Sequence, residues 1–174
     1  LCILLSTVLY PNNSFSAEKT KKNITIEEKA KKAQEDLNYA LYDAIDNEDL
    51  REIESLLNKK ADVNYKDEDS STPLIYAIYS SLEVVDLLLQ KGANINQADS
   101  EGMTALMKAI QNDNHKMVEL LVNSGANINL KDNDGKTAIL FTSCSKNKKT
   151  IDFLISKGAN INDKDKNGNN LFML

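Results

Sequence analysis

The sequence predicts an all-α solenoid: helix–turn–helix units stacked in register, joined by hairpin-like loops and preceded by a long N-terminal helix. Three observations predict it. The pentapeptide Gly-Ala-Asn-Ile-Asn occurs at 92–96, 125–129 and 158–162, a constant step of 33 residues, and a degraded copy, Lys60-Ala61-Asp62-Val63-Asn64, precedes the first by 32. The triplets Thr72-Pro73-Leu74, Thr104-Ala105-Leu106 and Thr137-Ala138-Ile139 keep the same register. Between these marks the apolar residues recur at helical spacing rather than in alternation. A fixed period of this size means stacked units, because none of them can bury its own apolar surface alone.

The chain has 174 residues, 41% hydrophobic and 27% charged, which suits one folded domain rather than a disordered tract. With no Trp and 6% aromatics, the core is built from Leu, Ile, Val and Ala. A net charge of −5 argues against a nucleic-acid partner, which calls for a basic stripe. One histidine and two cysteines are too few for a disulfide framework or a Cys-based zinc site.

Taken in order, residues 1–9 (LCILLSTVL) form an uncharged apolar run, broken by Tyr10-Pro11 and followed by the small residues Ser14 and Ser16. That is the shape of a signal peptide over 1–16, cut before Ala17 and lacking its basic start. The run is about half of the roughly 20 residues that a membrane span needs. It predicts export to a periplasm or beyond the cell, with no stable membrane insertion after cleavage. Residues 17–25 read as a polar, Lys-rich linker. Thr25 with Glu28 then makes a capping box. Ile26, Ala30, Ala33, Leu37, Leu41 and Ala44 predict one helix from about Ile26 to Asp46, opening a repeat domain over 26–174.

The units fall at about 37–69, 70–101, 102–134 and 135–167, with the start of a fifth at 168–174, which leads us to expect that the chain continues. First helices are expected over 73–79, 105–111 and 138–145, with Thr72, Thr104 and Thr137 as N-caps and Pro73 suited to the first helical position. Leu50, Ile53, Leu56 and Leu57 mark the second helix of the first unit. Its counterparts carry Val84, Val85, Leu87 and Leu88, then Met117, Val118, Leu120 and Leu121, then Ile151, Phe153, Leu154 and Ile155. Gly92, Gly125 and Gly158 stop these helices. Ile95, Ile128 and Ile161 then anchor an extended segment, and Asp99, Asp132 and Asp165 open a polar turn.

These motifs resemble the ankyrin repeat: a Thr-Pro-Leu-His-x-Ala first helix, a Leu-Leu second helix and a Gly-Ala-Asp-x-Asn exit, matched from about Leu37 to Asn170. The family His is replaced by Tyr42, Ile75, Met107 and Leu140, the inter-helix Gly by Glu48, Ser81, Asp113 and Lys146, and two usual Ala by Thr142 and Ser143.

The resemblance implies a non-catalytic module that binds a protein partner through its hairpin tips and the concave face of its first helices. Carried over, those positions are Lys66, Glu68, Asp69, Ser71, Tyr79 and Ser80 in the second unit. In the third they are Ala98, Ser100, Glu101, Met103, Gln111 and Asn112. In the fourth they are Lys131, Asn133, Asp134, Lys136, Cys144 and Ser145. These side chains vary between units while the packing positions do not. Tyr79 and Met103 stand out as a small apolar centre within a polar rim.

Other constellations point to plainer roles. Asp163 to Gly168 matches the start of a calcium loop, but Leu174 stands where the bidentate Glu belongs, so a hairpin is expected. His115 reads as solvent-facing. Cys144 lacks a base nearby in sequence and reads as an inert thiol, open to intermolecular pairing in an oxidising compartment. No cofactor or metal is implied. Two rival classes remain: the repeat region of a larger exported enzyme or effector whose active domain lies beyond residue 174, and a structural spacer.

Overall fold

The computed structural model describes residues 13–143 and 148–173, with side chains from Thr25 onward. The apolar run of the expected signal peptide, the inter-helix turn at Lys146-Asn147, Cys144, Ser145 and Leu174 lie outside the described residues. The chain divides into two units, Leu1–Leu37 and Asn38–Leu174.

Helix α1 spans Asn13–Asp46 and so begins 13 residues before the expected Ile26. The stretch expected as a linker is helical, and Thr25 lies inside the helix instead of capping it. The reason is local: residues 17–25 contain neither Gly nor Pro, and Ala, Glu and Lys are good helix formers. Within Leu1–Leu37, Ile26, Ala30 and Ala33 are exposed. The i,i+4 pair of Lys31 with Glu35, 3.8 Å apart at the surface, contributes little.

From Asn38 onward the array is built from pairs of short helices. The last part of α1 buries Leu41, Tyr42, Ala44 and Ile45 and is followed by α2 (Leu50–Asn58). The second pair is α3 (Pro73–Tyr76), extended by a 3₁₀ turn over Ala77–Tyr79, with α4 (Leu82–Gln90). The third is α5 (Ala105–Gln111) with α6 (His115–Asn123). In the fourth, Ala138–Ser143 is a 3₁₀ helix and α7 covers Lys148–Ser156. Among the described residues there is no strand, only isolated antiparallel bridges at Ala98–Thr104 and Lys131–Thr137.

Helices of seven to nine residues do not persist alone in water. Neighbours cover them here. Leu74, Ile78, Leu88, Leu106, Met107, Ile110, Met117 and Leu121 are all but fully buried. Leu50 and Ile155, expected on the apolar stripe, are largely exposed, and Ile95 and Ile161 are half-buried whereas Ile128 is buried.

The repeated pentapeptide has a hydrogen-bonding explanation. Its first polar residue turns the chain: Asn94, Asn127 and Asn160, like Asp62, accept the N–H two residues on at 2.9–3.1 Å. Its second Asn reaches the next unit. Asn64 Oδ1 accepts the Asn94 N–H at 2.7 Å, and Asn96 Oδ1 accepts that of Asn127 at 2.8 Å. These exposed bonds tie each loop to the one that follows it.

Two expected N-caps form, Thr72 on Ile75 N–H and Thr104 on Met107 N–H. The third does not. In the fourth unit Leu140 N–H goes to the Thr137 carbonyl at 2.9 Å, as a 3₁₀ turn requires, which leaves the buried Thr137 hydroxyl with no partner among the described residues. Thr142 and Ser143 favour this tighter turn, because their hydroxyls bond the carbonyls of Ile139 and Leu140 three residues back.

His115 is not solvent-facing. Its Nδ1 lies 3.1 Å from Thr150 Oγ1 and its ring meets Phe153 edge-on, so it ties α6 to α7. Residues 171–173 form a turn, not the opening of a helix, with Asn170 Oδ1 accepting Phe172 N–H.

Candidate binding face

Each hairpin is held by one carboxylate. Asp67, Asp99, Asp132 and Asp165 each accept backbone N–H groups two and four residues on, at 2.7–3.0 Å. Asp165 is thereby committed to its own loop and is no calcium ligand in waiting. Burial alone would raise its carboxyl; the N–H groups of Asn169 and Asn167, the Asn169 amide and the Lys136 charge outweigh that and hold it below the usual carboxylate range.

The tips are joined edge to edge. Ser100 N–H donates to Asp69 O, Asn133 N–H to Glu101 O and Lys166 N–H to Asp134 O, at 2.8–3.1 Å. This close approach explains Gly102. At φ +78°, a Cβ there would stand 2.7 Å from the Asn133 nitrogen. The corresponding position in the second unit is Ser70, which accepts φ +59°.

Between the third and fourth tips lies a groove of about 410 Å³. It is lined by Ser100, Glu101, Met103 and Gln111 on one side and Asn133, Asp134 and Lys136 on the other, all expected, together with Asp132 and Phe141, which were not. Phe141 has a legible signal: it takes the same register as Tyr76 and Lys108, four residues after the unit's Thr. The Lys136 ammonium sits 5.9 Å from the Phe141 ring centre. Lys108 is paired with Asp99 at 3.0 Å and Glu101 at 3.5 Å. Desolvation opposes its charge, but those two carboxylates prevail and raise its pKa.

The expected residues differ in how far they are open to a partner. Met103 is 4% exposed and belongs to the core floor, not to an anchor. The hairpin folds it inward, because its N–H and carbonyl both bond to Asp99. Lys66 donates to Ala98 O, and Ser71 O accepts the Tyr42 hydroxyl, so both serve the fold. Glu68, Asp69, Gln111, Asn112 and Lys131 are exposed, Ser80 and Ala98 are partly covered, and Tyr79 is 70% exposed.

Two exposed tyrosines, Tyr39 and Tyr76, belong to a further cluster. Tyr65, Tyr39, Tyr42 and Tyr76 make a continuous row of ring contacts, with centroids 5.4–6.5 Å apart. Of these only Tyr42 is closed off. Burial, then the Asp67 charge, pushes its phenol well above the ordinary value. Tyr39 and Tyr76 are exposed, as is Tyr79 on the same helix as Tyr76.

Among the described residues no group of three His, Cys, Asp or Glu side chains could hold a metal, and no helix is long and apolar enough to cross a membrane. A family model described as ankyrin repeats (3 copies) matches residues 13–99 and 93–165. No curated protein matches the chain.

Proposed function

Because the chain belongs to the ankyrin-repeat family, whose repeats are generally protein–protein interaction modules, we propose that it binds a protein partner, without catalysis, through the groove between the third and fourth hairpin tips. One observation carries this reading. The backbone bonds from Asn133 to Glu101 and from Lys166 to Asp134 fix adjacent tips rigidly, so that Glu101, Asp134, Gln111 and Phe141 converge on one concavity while their own backbones are already satisfied. A preorganised backbone leaves little loop-ordering entropy to be lost on binding. Half-buried Phe141 supplies an apolar floor and the carboxylates a charged rim.

The test is a crosslinking pull-down from the native source, with wild type and Glu101→Arg/Asp134→Arg compared. Charge reversal at exposed tips is expected to leave the thermal midpoint within a degree or two and to cut capture of the specific partner by about tenfold or more. Undiminished capture by the folded variant would place the site elsewhere.

We also propose export, supported by the apolar run of residues 1–9 and the small residues that follow. Helix α1 runs through Ser16 and Ala17, so cleavage there must act before that helix forms. N-terminal sequencing of the mature protein tests it; a chain that keeps residues 1–9 refutes it.

A further inference from the structure

The exposed first-helix surface differs sharply along the array. In the third and fourth units the chain supplies its own cations. Lys108 lies against Asp99 and Glu101, and Lys136 lies near the face of Phe141. In the first and second units the corresponding surface carries rings and carboxylates but no cation. Residues 38–46 read NYALYDAID and 73–79 read PLIYAIY, with no Lys or Arg. Tyr39 is 44% exposed, Tyr76 37% and Tyr79 70%. Tyr76 stands edge-on to Tyr42 at 5.4 Å, and its hydroxyl donates to Asp46 Oδ1 at 3.4 Å. Neither Asp43 nor Asp46 has an ion-pair partner among the described residues.

We propose that this aromatic and acidic surface, on the first helices of the first two units, receives an arginine-bearing segment of the protein partner. The proposal rests on the protein-binding reading and extends the contact surface beyond the groove. A guanidinium can stack on a tyrosine face while forking onto a carboxylate, which a lysine ammonium or an apolar side chain cannot do together. The negative face of Tyr76 and the charges of Asp43 and Asp46 would then act on one cation, with Tyr39 and Tyr79 as further exposed rings on the same helices for the rest of the segment. The phenol of Tyr76 is raised by desolvation and by the Asp46 and Asp43 charges, so both carboxylates act at the same place.

The probe is the peptide acetyl-Gly-Arg-Gly-Arg-Gly-amide, titrated into the full chain and followed by NMR shifts of the tyrosine ring protons; the Glu-for-Arg peptide is the control. Shifts at Tyr39, Tyr76 and Tyr79 are expected with the Arg peptide and none with the Glu peptide. Asp43→Asn/Asp46→Asn should weaken binding by about tenfold. Glu83→Gln/Asp86→Asn, an equal loss of charge on α4, should change it by less than about twofold. Tyr76→Leu, which keeps the charge, should weaken it by about threefold. Equal weakening by the two charge variants, or shifts confined to other residues, would reduce the effect to general attraction to an acidic protein and overturn the proposal. If the Arg peptide fails to bind while partner capture still depends on Glu101 and Asp134, this inference falls and the protein-binding reading stands.

Discussion

The third and fourth units follow one 33-residue plan and differ most at their first helices. In the third, Thr104 caps α5, and Ala109 and Ile110 continue it as an α-helix. In the fourth, Thr142 and Ser143 take those two positions and the segment winds as 3₁₀. The hairpins that precede the two helices are nearly superposable in their bonding, with Asp99 and Asp132 each accepting two loop N–H groups. Loop geometry in this array therefore survives a change in the helix it feeds. In the fourth unit two hydroxyls that bond backbone carbonyls favour the tighter winding, and Ala77–Tyr79 of the second unit closes its helix as 3₁₀ without them.

The largest expected effect tests whether the two units are equally firm. Leu121 and Leu154 are both fully buried. Helix α6 packs between α4 and α7, whereas α7, among the described helices, has α6 on one side. Leu121→Ala should cost about 2–5 kcal/mol and Leu154→Ala less, read as midpoints in urea. Folding free energies are of order 5–15 kcal/mol, so the first change is expected to unfold much of the array on mild heating. Equal losses would break the comparison.

A smaller and sharper effect concerns the two threonines. Thr104→Val removes a working cap and should lower stability by about 1 kcal/mol. Thr137→Val removes a buried hydroxyl that has no partner among the described residues and should raise it by about 1 kcal/mol. The signs are opposite for the same substitution at equivalent positions. Thermal midpoints that move in the same direction would show that the fourth unit's cap is engaged after all.

The smallest effect is a dependence on pH. Because the Asp165 carboxyl is held below its usual range in the folded chain, its contribution is fully present above the unfolded value of about 3.9 and is lost as pH falls through the lowered folded value. The stability gap between wild type and Asp165→Asn should therefore be constant above about pH 5 and should close on acidification below about pH 4. A gap that widens toward low pH would contradict the bonding described for that hairpin.

What the sequence determined by itself was the plan. Period, apolar register, the Gly stops and the Asp-led turns follow from local rules of helix spacing and left-handed backbone, which a chain displays wherever it lies. Tyr79 and the tip residues Glu101, Asn133 and Asp134 were legible on the same ground, as positions free to vary. Three things were decided only by the tertiary structure. Met103 looks like an anchor in sequence but turns inward, because Asp99 gathers its backbone. His115 looks solvent-facing until α7 brings Thr150 and Phe153 against it. The acidic tyrosine row joins Tyr39, Tyr42 and Tyr76 of the first helices with Tyr65 of the loop after α2, across as many as 37 residues of chain. Side-chain direction and contact between units depend on how neighbours stack, and stacking is a non-local property that no single repeat encodes.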